Sequence, residues 1–264
     1  MISGKTGVVG IIADPIAHVR SPQAFNALMQ ARGRDVVMVP MRVTADQLGT
    51  FMASAATIRN LAGLVVTLPH KETILAYCTS LSSAAGRARA ANVVRFHADG
   101  RIEGTNTDGS GFLAGLAGQD RPVAGQRVFL AGAGGAAKAI ADALAGAGIA
   151  ALGIYNRTRA RADELVRHLR DAHPGLDVHV APDCPRDYEL AINATSLGLR
   201  PADPLPFSPD LLPRTAVVAD VVMSADLTPL LSAAQVRGNP VHFGRHMLAG
   251  QVEEIARFLE VLGP

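Results

Sequence analysis

A glycine-rich segment lies where a strand pattern gives way to a helix pattern. Residues 127–140 read RVFLAGAGGAAKAI, so an apolar run leads into Gly132, Gly134 and the small residue Ala137. In the G-x-G-x-x-G/A pattern the first glycine permits a tight turn and the second lets backbone approach a pyrophosphate. The last small residue allows close packing of helix on strand. The following helix N-terminus attracts phosphate. The segment therefore predicts a dinucleotide site rather than a plain tight turn.

The residues after the next predicted strand indicate which dinucleotide. The strand LGIYN ends at Asn156, and the first carboxylate after it is Asp163. Between them lie Arg157, Thr158, Arg159 and Arg161. An NAD site would place an acid here to hold the ribose 2′-hydroxyl, whereas Arg and Thr donate hydrogen bonds to a 2′-phosphate. The segment favours NADP over NAD, and the alternative is a solvated, arginine-rich helix start.

Lysine is scarce in this chain. Of the 25 Lys and Arg residues only three, Lys5, Lys71 and Lys138, are lysines. A generic surface cation is therefore nearly always an arginine. Because the ammonium of a lysine shifts its pKa readily on burial, lysine suits proton transfer. An ordinary surface role is therefore less expected for a lysine of this chain, Lys71 included, than for an arginine.

The elements that must position these residues follow an alternation of strand and helix patterns, which predicts parallel sheets with right-handed crossovers. In a first series, buried strands are predicted at 7–13, 36–43 and 61–67, with helices near 22–32, 44–56 and 70–77. The segment 93–105 predicts a hairpin around the turn HADG. A second series has strands at 127–132, 152–156, 177–181, 189–195 and 216–222, and helices near 135–147, 158–171 and 246–262. The pattern predicts two α/β units that meet near 105–125.

Four further segments combine polar residues with turn formers. They read PIAHVRSP (15–22), VVTLPHKE (65–72), AANVV (90–94) and GTNTDG (104–109). Taken singly, each has a simple structural explanation, such as a helix cap or the end of a strand. Taken together, and in this order ahead of GAGGA, NRT and INATS, they closely resemble the shikimate dehydrogenase family over essentially the whole chain.

The resemblance implies an α/β fold of two domains. One is an N-terminal α/β substrate domain of residues 1–105 plus 238–264, and the other is a Rossmann-type, parallel-sheet NADP domain of residues 106–237. The active site is expected in the cleft between them. Members of this family reversibly oxidise one ring hydroxyl of shikimate and pass the hydride to NADP.

The resemblance also assigns roles by position. Lys71 and Asp108 match the catalytic pair of the family, although which of the two carries the proton stays open. The matching substrate contacts are Ser21, Thr67, Asn92 and Gln251. The matching NADP shell comprises Gly132, Ala133, Gly134, Gly135, Ala136, Asn156, Arg157, Thr158, Arg161, Thr195, Ser196, Val221 and Gly244.

Three positions depart from the family pattern where the family binds substrate. Val19 replaces the first serine of S-x-S-P, Val65 replaces the asparagine of N-V-T-V-P, and Met223 replaces a tyrosine after a late strand. Each change removes a hydrogen-bonding group. Losing a bond to a charged carboxylate costs roughly 1.5–3 kcal/mol. The departures leave three hypotheses open: a shikimate dehydrogenase, an enzyme of the same fold for quinate or a less polar analogue, and a non-catalytic dinucleotide-binding regulator.

Composition restricts the partners. The net charge of +2 gives no basis for a nucleic-acid surface, and no apolar run has the length of a membrane span. Cys78 and Cys184 lack metal-ligand spacing, so we predict no metal and two reduced thiols in the cytoplasm. The expected partner is a small alicyclic hydroxy acid. A monomer and a homodimer are both compatible with the sequence.

Overall fold

The computed structural model describes residues 2–200, 202–223, 225 and 227–263. The chain divides into two compact units, the first formed by Met1–Asp108 with Leu248–Pro264 and the second by Gly109–Met247. In this division the return to the first unit comes after residue 247, whereas the sequence predicts it at 238. The physical reason is a strand at Val241–Phe243, which pairs with the sheet of the second unit and keeps this segment there.

The first unit contains a mixed six-stranded sheet. Its strands are β1 (Gly7–Ala13), β2 (Val36–Arg42), β3 (Leu61–Val66), β4 (Ser80–Leu81), β5 (Val93–Phe96) and β6 (Ile102–Thr105). The order across the sheet is β2-β1-β3-β5-β6-β4. β1 pairs in parallel with β2 and β3, whereas β5 runs antiparallel to β3 and β6 because it forms the predicted hairpin with β6.

Helices surround this sheet. They are α1 (Ser21–Ala31), α2 (Leu48–Ala55) and α3 (Ser83–Ala88), with 3-10 helices at Ala45–Gln47 and Thr73–Tyr77. The predicted helix at 70–77 is thus only a short 3-10 turn. One face of the sheet packs a core around Leu64, Val66 and Met52. Phe25 and Met29 of α1 are also buried, outside this cluster.

The strand at 36–42 is not the buried strand that its apolar sequence predicts. Met38 is its one buried residue, and Val39 and Pro40 are exposed. β2 lies at the edge of the sheet, so its outer side has no neighbouring strand. A proline is tolerated at such an edge because no ladder hydrogen bond is lost there.

The second unit contains a six-stranded sheet whose strands are all parallel. They are β7 (Arg127–Ala131), β8 (Ala151–Tyr155), β9 (Asp177–Val180), β10 (Leu190–Asn193), β11 (Val217–Asp220) and β12 (Val241–Phe243). The order is β12-β11-β10-β7-β8-β9, so the direction of winding changes between β7 and β10. The helices are α4 (Asp108–Ala117), α5 (Gly135–Gly146), α6 (Arg159–Ala172), α7 (Pro229–Val236) and α8 (Gly244–Phe258), of which α8 continues into the first unit.

Strand β7 is buried on both faces. Val128 and Leu130 belong to one core cluster with Ile140 of α5, and Phe129 belongs to another with Tyr188. A parallel strand covered on both sides reads as a continuous apolar run, which is why RVFLA shows no alternation. The strand order is that of a doubly wound dinucleotide fold, whose ligands bind outside the carboxyl ends of the strands at the change of winding. The expected α/β fold is confirmed.

Candidate active site

Lys71 and Asp108 form an ion pair in the first unit. Lys71 Nζ lies 2.5 Å from Asp108 Oδ2, and the side chains are 14% and 3% exposed. Asp108 is the first residue of α4, where the helix dipole favours a negative charge. A charge-assisted bond of this length between two shielded groups fixes the direction of the ammonium.

The loop that carries Lys71 is anchored on both sides. The buried side chain of His70 hydrogen bonds through Nε2 to Val43 O at 2.7 Å, so this nitrogen carries the proton. Lys71 O accepts a hydrogen bond from Ala91 N at 2.8 Å. These two bonds tie the loop to the end of β2 and to the segment before β5. The lysine is therefore presented from a fixed backbone.

Asn92 and Gln251 meet the same carboxylate. Asn92 Nδ2 and Gln251 Nε2 donate to Asp108 Oδ1 at 3.0 and 3.1 Å. Asn92 Oδ1 also accepts from Thr107 N at 2.8 Å, which holds the backbone just before Asp108. The structure thus brings together four of the predicted residues from four separate segments: Lys71, Asn92, Asp108 and Gln251.

Ser21 and Thr67 follow the carboxyl ends of β1 and β3, which are neighbouring parallel strands. Both residues are half-buried. Ser21 begins α1 without capping it through its side chain. In the described part of the chain neither hydroxyl bonds to the Lys71–Asp108 pair. Their hydroxyls thus remain available to a ligand.

The three departures from the family pattern are placed differently. Val65 is a buried residue of β3, 5% exposed. Val19 and Met223 are half-buried. None of these side chains can accept or donate a strong hydrogen bond. A ligand group beside them meets apolar surface.

The glycine turn in the second unit has the geometry that its sequence predicts. Gly132 has φ of +124°, and a Cβ there would lie 2.7 Å from Ala194 O. Ala137, fully buried, lies below the turn. Gly134 has φ of −88° and is the N-cap of α5, and a Cβ on it would meet no atom within 4 Å. Among the described residues, no atom therefore crowds the N-terminus of α5 at Gly134.

Ala133, Gly135 and Ala136 belong to the same turn, and the Asn156–Arg161 segment lies beside it. Gly132 N donates to Tyr155 O at 2.7 Å, and Asn156 Nδ2 donates to Thr158 O at 2.9 Å. Arg157, Thr158 and Arg161 are exposed. Neither Arg157 nor Arg161 forms an ion pair with a described residue, so both guanidinium groups are free to meet an anion.

Thr195, Ser196, Val221 and Gly244 follow the carboxyl ends of β10, β11 and β12. Thr195 is half-buried and Ser196 exposed. A Cβ on Gly244 would lie 2.8 Å from Val221 O, so only glycine permits this approach. All four therefore lie at the same edge of the sheet as the glycine turn.

Sequence reasoning missed Asn193 and Asp220. Each is the last residue of an apolar strand, and their side chains hydrogen bond at 2.9 Å in the core. Burial raises the pKa of Asp220 to about 6, against the lowering effect of hydrogen bonds from Thr228, Val222 and Asn193. A polar residue ending an otherwise apolar strand was the signal that could have found them.

A histidine pair was missed as well. His242 of β12 is 1% exposed, and its Nδ1 lies 3.4 Å from His246 Nδ1. Burial, helped by the charges of His246 and Arg121, lowers the pKa of His242 to about 4. Its buried Nε2 has no hydrogen-bond partner among the described residues. The ring is therefore neutral at physiological pH.

Other classes of site are not found in the described ranges. No three His, Cys, Asp or Glu side chains of these ranges come together as a metal site. None of the helices in the described part has the length and apolar character that crossing a bilayer requires.

The fold and the two constellations define a two-unit α/β protein with a doubly wound, dinucleotide-type sheet. Residues 11–94 match the model of the shikimate dehydrogenase substrate binding domain, and residues 116–197 match that of shikimate / quinate 5-dehydrogenase. A shikimate dehydrogenase (NADP(+)) of Rubrobacter xylanophilus is 39% identical over 97% of this chain and 91% of its own. The chain belongs to the shikimate dehydrogenase family, as its motifs predict.

Solved structures agree. Shikimate 5-dehydrogenase of Thermus thermophilus, in complex with NADP(H) and shikimate, has a TM-score of 0.84 and 32% identity over 96% of this chain and 93% of that one. The ligand-free 5-ketofructose reductase of Gluconobacter sp. strain CHM43 has a TM-score of 0.83 and 29% identity over 97% and 94%. The same fold is thus found in proteins named for different substrates.

Proposed function

We propose that this protein is an NADP-dependent dehydrogenase that interconverts a ring hydroxyl and a ketone on shikimate or a closely related alicyclic hydroxy acid. The observation that carries the proposal is the shielded Lys71–Asp108 pair, in which Nζ and Oδ2 are 2.5 Å apart. The same chain has a glycine turn at the N-terminus of α5, where a Cβ on Gly134 would meet no atom.

Lys71 is the proposed proton-transfer residue. Oxidation of a carbinol takes a proton from the hydroxyl as the hydride leaves carbon, and reduction returns that proton to oxygen. Asp108 Oδ1 is already occupied by Asn92 and Gln251, and its side chain is the more buried of the pair. Lys71 therefore accepts the proton at Nζ as a neutral amine during oxidation and returns it as the ammonium during reduction, while Asp108 orients Nζ.

Ser21, Thr67, Asn92 and Gln251 are the proposed substrate contacts. The half-buried hydroxyls of Ser21 and Thr67 are available to bind polar groups of the ring. Asn92 and Gln251 each use an amide N–H on Asp108, which fixes their orientation beside the pair. Because these amides are held in place, little side-chain entropy is lost when a ligand binds.

The residues of the second unit fit NADP better than NAD. The turn from Gly132 to Ala136 would hold the pyrophosphate, because a Cβ on Gly134 would meet only open space. Asn156, Arg157, Thr158 and Arg161 would hold the adenosine side and its 2′-phosphate. Thr195, Ser196, Val221 and Gly244 would line the remainder. The bound nicotinamide supplies the hydride acceptor and donor of the reaction.

A second candidate keeps this chemistry and changes the substrate. Val19, Val65 and Met223 supply apolar surface where the family pattern has hydrogen-bonding groups. A similar fold belongs to a protein named for a different substrate, 5-ketofructose reductase. Quinate or a less polar analogue is therefore the alternative. The third hypothesis, a non-catalytic regulator, does not explain why Lys71 forms a shielded ion pair with Asp108.

An absorbance assay separates the candidates. Purified protein is offered shikimate, quinate and simpler cyclohexane hydroxy acids with NADP and with NAD, and the reduced cofactor is followed at its absorption maximum. Turnover with NADP exceeding that with NAD supports the proposal, and the preferred acid identifies the substrate. Absence of turnover with every acid, while NADP still binds, would support the regulator instead.

We further propose that the protein works in the cytoplasm on a small-molecule substrate, as a monomer or a homodimer. The two cysteines, Cys78 and Cys184, are both free thiols, as a reducing compartment requires.

A further inference from the structure

Asp220 is a buried acid at the end of β11, and its hydrogen bonds with the described residues all come from neutral groups. Its Oδ1 accepts from Asn193 Nδ2 at 2.9 Å and from Val222 N at 3.0 Å, and its Oδ2 accepts from Thr228 Oγ1 at 2.7 Å. The carboxyl is 1% exposed. No described cation forms an ion pair with it. Burying a carboxyl without a cationic partner costs free energy. The groups that hydrogen bond to this carboxyl therefore indicate its role.

Through Asn193 the carboxyl holds the loop after β10. Asn193 Oδ1 accepts from Thr195 N at 3.0 Å and from Thr195 Oγ1 at 2.7 Å. Asn193 Nδ2, besides its bond to Asp220, donates to Leu197 O at 3.0 Å. The bond to Val222 N holds the loop after β11 in the same way. One side chain therefore connects the two loops that carry Thr195 and Val221.

The strand order assigns these loops to one half of a dinucleotide. The glycine turn follows β7, and the Asn156–Arg161 segment follows β8 on one side of it. β10 and β11 lie on the other side of β7. A dinucleotide whose pyrophosphate lies at the turn extends in both directions along this edge. If the 2′-phosphate side lies over β8, the nicotinamide side lies over β10 and β11.

We infer that Asp220 is a positioning residue for the nicotinamide half of the cofactor site, acting through Asn193 and Val222 on the loops after β10 and β11. The inference rests on the proposed function, because it needs a dinucleotide with its pyrophosphate at the turn. Asp220 itself is enclosed in the core and does not touch the ligand. Its effect is to fix the backbone that does.

Two ligands distinguish this role from a general structural one. NADP contacts both halves of the site, whereas adenosine 2′,5′-bisphosphate contains only the 2′-phosphate half. In Asp220→Asn the volume is kept, but an amide NH2 replaces one of the two accepting oxygens. We expect the Kd of NADP, measured by titration calorimetry, to rise at least threefold, and that of adenosine 2′,5′-bisphosphate to stay within twofold. Asp220→Ala removes both oxygens and should raise the Kd of NADP roughly tenfold.

Control variants fix the interpretation. Asp142→Asn alters another buried acid of the same unit, which pairs with His173 at 3.0 Å, and should change neither Kd. Arg157→Ala should raise the Kd of both ligands, because both contain the 2′-phosphate that Arg157 is proposed to bind. In steady state, Asp220→Asn should raise the KM of NADP and leave the KM of the alcohol unchanged.

The outcomes are separable. Equal weakening of both ligands in Asp220→Asn, or no change in either, would overturn the inference. If Asp220→Ala does not fold, the conservative variant alone decides. The inference also fails if the wild-type protein binds adenosine 2′,5′-bisphosphate as tightly as NADP, because the nicotinamide half then adds no affinity. Wild-type protein that binds neither ligand would instead contradict the proposed function itself.

Discussion

Asp108 divides its two carboxylate oxygens between different partners: Oδ2 accepts from Lys71 at 2.5 Å, and Oδ1 accepts from Asn92 and Gln251. The carboxylate is thus held from both sides, and the lysine is held through it. The amides and the ammonium converge on one point. A substrate hydroxyl placed there meets a directed Nζ rather than a mobile surface lysine.

Replacing Lys71 should remove proton transfer and leave cofactor binding intact. In Lys71→Ala we expect kcat to fall by about 10²–10⁴-fold, the range for loss of a general acid–base group. The Kd of NADP should stay within twofold, because Lys71 belongs to the first unit and the glycine turn to the second. Steady-state kinetics and calorimetry give the two values. Lys5→Ala, at an exposed lysine, is the matched control. A kcat within a few-fold of wild type would refute the assignment of Lys71.

The two glycines of the turn should respond oppositely to alanine. Gly132→Ala forces a Cβ onto a residue with φ of +124° and against Ala194 O. We expect a loss of about 1–3 kcal/mol in the free energy of unfolding. The methyl group added in Gly134→Ala meets no atom, so the free energy of unfolding of this variant should be unchanged. Its NADP affinity should fall at least tenfold, because the methyl group would take the space of a phosphate.

Urea titration and calorimetry of both variants test this pair. The contrasting result, in which Gly134→Ala binds NADP as wild type does, would show that no phosphate approaches this position.

Arg157 should set the preference between NADP and NAD. Loss of a hydrogen-bonded charge on a phosphate costs about 1.5–3 kcal/mol, so Arg157→Ala should raise the KM of NADP by about 10–100-fold. The KM of NAD, which has no 2′-phosphate, should change little. Arg167→Ala, an exposed arginine later on α6, is the matched control. Equal losses for both cofactors would argue against a 2′-phosphate contact.

Acid should destabilise the second unit through His242. The pKa of His242 is lowered to about 4 from 6.5, so between these values the unfolded chain binds a proton that the folded chain does not. Stability is therefore lost as the pH falls through this window, by about 2 kcal/mol between pH 7.5 and pH 5. Asp220, whose pKa is raised to about 6, contributes with the opposite sign.

Comparison with His242→Phe isolates the histidine, since the variant ring can keep the edge contact with Phe112. Urea unfolding at both pH values should show a smaller loss on acidification in the variant. An identical loss in both proteins would mean that His242 titrates in the folded state as it does in the unfolded chain.

Local patterns were sufficient for much of the fold. β7 was predictable because a strand buried on both faces is a continuous apolar run, and Gly132 because few other residues tolerate its φ. β1 and α6 were found within two residues at each end. The family resemblance assigned Gln251 and Asp108 to one active site but did not predict their hydrogen bond, since 143 positions separate the two residues. Spacing alone cannot indicate so distant a contact.

Other features depended on context that a sequence does not contain. Helix α3 has six residues rich in Ala, and Ser82 caps it by accepting from Ala85 N, too short a signal for periodicity. The exposure of β2 follows from its place at the edge of the sheet, which is decided by pairing elsewhere. The bond between Asn193 and Asp220 was missed because it depends on the pairing of β10 with β11. Only the neighbouring strand shows that they bond to each other.

The contact between Gln251 and Asp108 also has a consequence for biosynthesis. Lys71, Asn92 and Asp108 are synthesised long before residue 251, so until then Asp108 Oδ1 lacks the donor that Gln251 supplies in the folded chain. A message cut short between the codons of Phe243 and Gln251 would yield a polypeptide with both strand series and an incomplete centre. Such a truncated chain should therefore turn over less substrate than the whole chain.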